Sequence, residues 1–148
     1  GTYDLFAHES NVNINSRMVV FDIHDMSESI KSLGNKIILE TIKEQMLKNY
    51  EQGKDTWVYI DEIYRLLDNE YSENFLYEFW KWVRKFGGAC TGITQNVTDL
   101  LRSDKTSTML ANSDFFIMLR QEKLDLVQLK GLLNLSDDLV NNANDIDK

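Results

Sequence analysis

Proline is absent from the 148 residues, and cysteine occurs only once, at Cys90. With a single thiol the chain forms no internal disulfide and offers no cysteine cluster to zinc, which fits a reducing compartment. The seven glycines are scattered, so the sequence contains no flexible linker, no low-complexity segment and no internal repeat. No apolar run approaches the roughly 18 residues that a membrane-spanning helix needs. These absences predict a single cytosolic domain over residues 1–148.

Positive charge is also scarce, because 16 Lys and Arg stand against 24 Asp and Glu and leave a net charge of −8. A surface of that sign repels phosphate backbones, so binding of nucleic acid by bulk charge is disfavoured, and only a small local basic site stays open. The two histidines, His8 and His24, are too few for a metal cluster and are predicted to lie at the surface. Three Trp, six Tyr and seven Phe supply large apolar side chains for a core.

Apolar runs alternate with amphipathic segments along the chain. Strands are predicted at about 18–23, 57–61, 89–95 and 114–119. The first predicted helix begins at a capping box of Asp25 and Glu28 and ends near Gly53. A short helical turn is predicted to end at Leu67, and a longer helix runs from Ser72 to the Gly87-Gly88 pair. Further helices are predicted after an Asn96 cap, near 122–132, and over 136–143 with Ser136 as its cap. Strands joined by crossover helices of this length predict an α/β fold, with a mainly parallel, doubly wound sheet and helices on both faces.

Polar side chains follow the predicted strands, at the edge where ligands bind in open α/β sheets. Asp61 and Glu62 directly follow the apolar run "TWVYI", which suits a strand buried on both faces, and Asp22 and Gln95 end two other strands. An apolar strand that ends in Asp-Glu is typical of nucleotidases, where the first acid holds magnesium through water and the second polarises the attacking water. Acids also follow buried strands as helix caps, so this motif alone leaves both interpretations open.

Gln95 and Arg84 each have a functional and a structural interpretation. A neutral amide at the end of a strand can contact a γ-phosphate or position a water, or it can simply be a hydrogen-bonded polar residue. Arg84 and Lys85 precede a Gly-Gly pair, where a guanidinium either reaches a neighbouring subunit's phosphate or lies in solvent at a helix end. The band of Phe and Trp over 75–86 is predicted to be core rather than a stacking platform for bases.

Two other functional classes stay open on the residues alone. Asp22, Asp61 and Asp114 are candidates for the acidic cluster of a magnesium-dependent nuclease, which predicts metal-dependent cleavage of DNA. A non-catalytic interaction module with the same fold is the other possibility. No G-x-x-x-x-G-K-[ST] phosphate loop occurs in the sequence, which argues against an ATPase that is complete within these residues.

Taken together, ordered stretches of the chain resemble the large motor ATPases of type IV secretion and bacterial conjugation, the TraC/TrbE-like branch related to FtsK and HerA. The stretches are "FAHESNVNINSRMVVFDIHDM", "WVYIDEIYRLL", "WKWVRKFGGACTGITQNVTDLL", "LANSDFFIMLRQ" and "LLNLSDDLV", which stand in the family's order and spacing. The "RKFGG" and "GITQNVTDLL" block is the most specific of them. Family members often have lysine where this chain has His24.

The resemblance implies a role for each candidate site residue. Asp61 and Glu62 look like the Walker B pair, with Asp61 on the metal and Glu62 as catalytic base. Gln95 looks like the sensor glutamine of the family's TQN motif and a contact to the nucleotide. Arg84 stands where the superfamily tends to carry an arginine finger, and Lys85, Gly87 and Gly88 complete the same motif.

The resemblance also implies what surrounds the chain. The family's phosphate loop lies upstream of the equivalent of Tyr3, and a further strand follows the equivalent of Asn142, so the chain looks like the C-terminal portion of a P-loop ATPase (RecA-like) domain that lacks Walker A. ATP and Mg²⁺ are then cofactors of the intact parent, and neither is expected to bind this chain alone. The implied partners are other subunits of a homo-hexamer, channel components, the coupling protein and DNA. The implied location is the cytoplasmic face of the membrane.

Overall fold

A computed structural model describes residues 14, 16–95, 100, 101, 103–119, 123–138 and 140. In chain order these residues form α1 (Glu28–Glu51), β1 (Thr56–Ile60), α2 (Tyr64–Leu67), α3 (Glu70–Trp82), a 3₁₀ turn (Val83–Phe86), β2 (Gly88–Gly92), α4 (Asp104–Ala111) and α5 (Lys123–Leu133). None of the helices in these ranges is both long and apolar enough to cross a bilayer. Helices therefore alternate with parallel strands, as the α/β prediction requires.

Strands β1 and β2 pair in parallel, with Thr56 opposite Gly88 and Ile60 opposite Gly92. A parallel pair needs a long crossover, and α2, α3 and the 3₁₀ turn supply it. The backbone ladder continues beyond the strands, because the Ile93 N–H donates to the Ile60 carbonyl at 2.9 Å and the Ile63 N–H donates to the Ile93 carbonyl at 3.0 Å. Both strands thus end at the same edge of the sheet.

The core lies between one face of the strands and helices α1 and α3. Its buried side chains include Val58 and Ile60 of β1, Leu76 and Phe79 of α3, and Leu39 and Met46 of α1. Alternate residues of β1 point away from this core, and Trp57 and Tyr59 are 67% and 63% exposed. Burial of β1 on both faces was the expectation from its sequence, whereas its burial in the structure alternates with the pleat.

Two predicted strands are irregular backbone in the structure. The segment 18–23 and the segment 114–119 carry no strand, and Met18, Val20, Phe115 and Ile117 are at least 81% exposed. These two strand predictions differ from the structure because an apolar run indicates only the preference of the side chains. A strand also needs a neighbouring edge to accept its backbone hydrogen bonds.

The helix starts differ from the predicted ones because other residues occupy the N-caps. Ser27, rather than Asp25, occupies the N-cap of α1, and the Asp25 carboxylate faces the His24 ring at 3.2 Å. Asn69 caps α3 by accepting from the Ser72 N–H at 3.2 Å, so this helix begins two residues before the predicted start. The Asn96 cap lies outside the described residues, as do four of the eight residues in the segment 136–143.

The end of α3 agrees with its sequence. The predicted aromatic core is confirmed by a continuous series of ring contacts, with centroids 5.2–5.7 Å apart, through Phe75, Phe79, Trp82, Phe86 and Tyr50. Gly87 then ends the 3₁₀ turn with φ of 63°, a left-handed conformation that favours glycine. The aromatic contacts hold the turn that leads into β2.

Helix α4 is tied to α3 by a polar cluster. Ser103 caps α4 in a capping box with Thr106, and its hydroxyl also donates to Glu73 Oε1 at 2.6 Å. Lys105 Nζ donates to Glu73 Oε2 at 3.2 Å. The Ser103 hydrogen bond and then Lys105 hold the pKa of Glu73 below its ordinary value, against the desolvation that raises it. Glu73 therefore stabilises the fold as a carboxylate.

We expect Glu73→Gln to lower the free energy of unfolding by about 1–2 kcal/mol at pH 7, because it removes the charged acceptor of two hydrogen bonds. Since the folded-state pKa of Glu73 lies below the ordinary value of 4.5, its contribution is present above pH 4.5 and is lost as the pH falls through the folded-state pKa. Urea unfolding at several pH values should therefore show the difference between wild type and variant shrinking below pH 4.5.

Glu78→Gln is the matched control on the same helix, because its carboxylate is 61% exposed and faces a Lys81 side chain that is 43% exposed. It should change the free energy of unfolding by less than about 0.5 kcal/mol. Equal losses in the two variants at every pH would contradict the role given to Glu73.

Candidate functional site at the carboxyl edge of the sheet

Asp61 and Glu62 follow the last residue of β1 and stand at the carboxyl edge of the sheet, as predicted. The Asp61 side chain folds back on its own turn, where Oδ1 accepts a hydrogen bond from the Glu62 N–H at 3.0 Å. The turn then passes into α2. The site is thus built on a strand end and the first turn of the following helix.

Glu62 adopts a backbone conformation that is rare for any residue with a Cβ. Its φ is 51°, in the left-handed region, which costs about 1–2 kcal/mol for an L-residue other than glycine. The next residue, Ile63, is buried and bonded through its N–H to Ile93, so the backbone is held on the far side of the strained position. Strain of this kind persists only where the surroundings fix it, and it is concentrated at functional sites.

Gln95 lies beyond the end of β2 and meets Glu62. Its side-chain amide, Nε2, donates to Glu62 Oε1 at 2.7 Å. The bond has an ionised acceptor, which makes it stronger than a bond between neutral groups. Two residues that stand 33 positions apart in the sequence are therefore brought together at the edge where ligands bind in this class of sheet.

Gly92 and Ile63 support this contact, and sequence reasoning missed both. A Cβ at position 92 would stand 2.9 Å from Ile63 Cδ1, so glycine lets the buried Ile63 side chain approach the end of β2. Trp80 closes the same place from α3, 3.4 Å from that position. The glycine that ends β2 was the one available signal, because glycine in a strand often marks a close approach.

Arg65 is a third residue that sequence reasoning missed. It lies in α2, one turn after Glu62, and its N–H donates to the Glu62 carbonyl at 2.9 Å. The hydrogen bond to the Tyr64 hydroxyl raises the pKa of Arg65, and the negative charges of Glu62 and Asp61 add to the effect. Arg65 therefore lies one helical turn after the carboxylate pair, and its spacing of three from Glu62 was its only signal in the sequence.

Arg84 lies at the other end of the sheet. It belongs to the 3₁₀ turn that precedes β2, whereas Gln95 follows β2, so the five-residue strand separates them by about 16 Å at about 3.3 Å per residue. Its side chain is 84% exposed, and Nη1 donates to Asp114 Oδ2 at 3.4 Å. Arg84 therefore does not join Asp61, Glu62 and Gln95 within one chain.

The acidic cluster of the nuclease hypothesis finds no support. Asp22, Asp61 and Asp114 are all described, and the described residues contain no group of three His, Cys, Asp or Glu that could hold a metal ion. Asp22 accepts from the His24 N–H at 2.9 Å, and Asp114 faces Arg84. Each of these two carboxylates is thus engaged locally, away from Asp61.

Asp61 fits a magnesium ion of the kind that nucleotides bring with them. Mg²⁺ prefers oxygen ligands and usually keeps several waters, so one or two protein carboxylates and the substrate phosphates suffice. Asp61 is exposed at the edge of the sheet and offers such a carboxylate, with Glu62 as its immediate neighbour. The donor chemistry of the site therefore suits the metal that the sequence predicted for Asp61.

The strain at Glu62 predicts that the usual order of stability of an alanine and a glycine variant is reversed at this position. We expect Glu62→Gly to be more stable than Glu62→Ala by about 1 kcal/mol, because glycine relieves the left-handed strain that alanine keeps. At Arg65 in helix α2 the order should be the usual one, with the alanine variant more stable than the glycine variant by about 0.5–1 kcal/mol. Urea unfolding of the four variants measures both differences. A Glu62→Gly variant that is less stable than Glu62→Ala would contradict the strained conformation.

Comparison with known proteins identifies the family of the chain. The model of the TraG P-loop domain matches residues 1–148, which is the whole chain. Comparisons with curated proteins and with solved structures give no match. The sequence resemblance to conjugation ATPases is confirmed at this level, and the α/β fold with a parallel strand pair is consistent with it. The chain belongs to the TraG P-loop domain family, the NTPase domains related to conjugative transfer.

Proposed function

We propose that the chain supplies the Walker B and sensor-glutamine side of the ATP-hydrolysing site of a conjugative transfer or type IV secretion motor. The observation that carries this proposal is the 2.7 Å hydrogen bond between Gln95 and Glu62 at the carboxyl edge of the parallel strands. Membership of the TraG P-loop domain family supplies the nucleotide as the ligand class. A hydrogen-bonded amide and carboxylate at that edge are the groups needed to hold an attacking water.

Glu62 is the proposed general base. Its carboxylate takes a proton from the water that attacks the γ-phosphate, and the leaving group is ADP. The Gln95 amide fixes one carboxylate oxygen, Oε1, so the carboxylate is oriented before the nucleotide arrives. Gln95 itself is the proposed sensor, because an amide that bonds Glu62 can exchange this bond for one to the γ-phosphate without any change in charge.

Asp61 is the proposed magnesium residue. Its carboxylate would hold the ion through a water, and the bound ion would neutralise charge that develops on the phosphates. Asp61 also fixes the turn by accepting from the Glu62 N–H. One side chain thus links the metal position to the backbone that carries the base.

The finer assignment is the TraC/TrbE-like branch, related to FtsK and HerA, with this chain as the C-terminal portion of the ATPase domain. A phosphate loop upstream of Tyr3 would complete the site. Exposed apolar side chains support the proposal of a larger, doubly wound sheet. Trp57 and Tyr59 are exposed on the second face of β1, and the apolar segments 18–23 and 114–119 are available as further strands.

Arg84 is the proposed arginine finger for a neighbouring subunit of a homo-hexamer. Its position at the amino end of β2, about 16 Å from Gln95 by the length of the strand, supports action in trans rather than in cis. We place the motor at the cytoplasmic face of the membrane, with channel components, the coupling protein and DNA as partners. These partners follow from the proposed family branch.

The role of Glu62 is tested by ATP turnover in a protein that carries this chain together with its phosphate loop. We expect Glu62→Gln to lower kcat by about 10²–10⁴-fold, because the amide cannot accept the proton, while nucleotide affinity changes little. Glu44→Gln, at an exposed carboxylate of α1, is the control and should keep wild-type turnover. Full turnover in the Glu62→Gln protein would rule out Glu62 as the base.

The proposal that the phosphate loop and the residues Asp61, Glu62 and Gln95 lie in different segments is tested on this chain alone. Calorimetric titration with magnesium and a non-hydrolysable ATP analogue should show no binding, because the phosphate loop is proposed to lie in another segment. Clear micromolar binding, about −8 kcal/mol, would instead mean that these residues contain a phosphate cradle. Asp61→Asn then shows whether that binding uses the proposed metal residue.

A further inference from the structure

We propose that Asp114 is the positioning residue of Arg84, and that its carboxylate occupies the place on the guanidinium that a phosphate oxygen takes when Arg84 binds an anion. The inference rests on the proposed function only for the identity of the anion as the phosphate of a nucleotide. Its observation is the contact of Arg84 Nη1 with Asp114 Oδ2 at 3.4 Å, between residues that stand 30 positions apart.

The turn that carries Arg84 packs against the core, although the Arg84 side chain itself extends into solvent. Val83 is buried, and the Phe86 ring packs edge-on against both Trp82 and Tyr50. These neighbours anchor the backbone on both sides of Arg84. The side chain is nevertheless 84% exposed, so an anchored backbone presents the guanidinium to solvent. This is the arrangement that a residue needs when it contacts a group outside its own chain.

Asp114 is anchored by the residue before it. The Ser113 hydroxyl accepts from Trp80 Nε1 at 3.1 Å and donates to the Met109 carbonyl at 2.9 Å. The backbone is thereby fixed to α3 and α4 just before Asp114. Both elements that present the ion pair are therefore tied to the same helix, α3, which keeps the two charges within reach of each other.

Carboxylate and phosphate compete for the same donors on a guanidinium. The planar fork of an arginine matches both groups, and both bind its N–H donors in the same way. The pair is also easy to separate, because its side chains are 84% and 64% exposed and exposed ion pairs contribute little to stability. Asp114 thus orients Arg84 in the absence of an anion and yields when a phosphate arrives.

Replacement of Asp114 by a phosphate at the Arg84 guanidinium also affects the start of the segment 114–119. The next residues, Phe115 to Ile117, form irregular backbone, and Phe115 and Ile117 are each 90% exposed. Once Arg84 binds a phosphate, the Asp114 carboxylate loses its contact with the guanidinium, while the hydrogen bonds of Ser113 still hold the backbone before it. The anion therefore changes the side-chain partner of Asp114, the first residue of this segment.

The experiment is a titration of the whole chain with inorganic pyrophosphate, followed by NMR of the arginine side-chain Nε–H signals. Arg84→Gln identifies the Arg84 signal. We expect Asp114→Asn to raise the affinity of Arg84 for pyrophosphate about two- to fivefold, which is the range for loss of an exposed competing charge. Asp114→Glu should restore wild-type affinity, since it restores the carboxylate. Glu78→Gln, which removes an exposed carboxylate of α3 that pairs with Lys81 instead, should leave it unchanged.

An unchanged affinity in Asp114→Asn, or the same increase in Asp114→Glu, would overturn the proposal. So would a titration in which the Arg84 signal does not respond to pyrophosphate in any variant. Asp114→Ser is the second variant if Asp114→Asn does not fold. The readout is local to Arg84 and does not involve Glu62 or ATP turnover. A failure here is therefore distinguishable from a failure of the proposed hydrolytic site.

Discussion

The parallel register of β1 and β2 is the constraint on which the rest of the structure depends. Because Ile60 lies opposite Gly92, the residues that follow the two strands emerge side by side. Glu62 and Gln95 can then form a hydrogen bond at 2.7 Å, although a whole helical crossover separates them in the chain. The same topology returns the chain to the opposite edge before β2 begins, which separates Arg84 from the carboxylates. One pairing thus creates the site and excludes Arg84 from it.

Helix α3 stabilises the paired strands by packing against them. Its buried face packs Leu76 and Phe79 against β1, and its aromatic end secures the turn into β2. Polar contacts of the part-buried Glu73 then hold α4, through the hydrogen bond that Ser103 donates to it. Apolar burial contributes most of the stability, while hydrogen bonds of this type decide which helix lies next to which. The strand β1, the turn into β2 and helix α4 are therefore all held by a single helix.

Sequence patterns predicted the structural elements that are determined by their own residues. The strand at Thr56–Ile60 follows from its β-branched and aromatic residues, and the end of the turn at Gly87 follows from a left-handed φ that glycine adopts readily. The position of Asp61 and Glu62 at the strand end was predictable for the same reason. The cap of α1 was not, because Asp25 faces His24 instead of the helix.

Features that depend on pairing between distant segments could not be predicted from the sequence. The segments 18–23 and 114–119 have the composition of strands, yet the described backbone there is irregular, since composition does not supply a neighbouring strand. The contact of Gln95 with Glu62 depends on the register of two strands, and the residue that permits the close approach, Gly92, has no signal beyond its being a glycine at a strand end.

The left-handed conformation of Glu62 shows how the fold orients the carboxylate that we propose as the general base. The strained backbone is held on one side by Asp61, which accepts the Glu62 N–H, and on the other by the buried Ile63. The carboxylate is then held by Gln95, so its orientation is set by the protein rather than by a ligand. Groups that are oriented in advance need no reorganisation when charge develops, which is the main source of electrostatic catalysis. Folding energy from the buried core thus offsets the strain that orients the carboxylate.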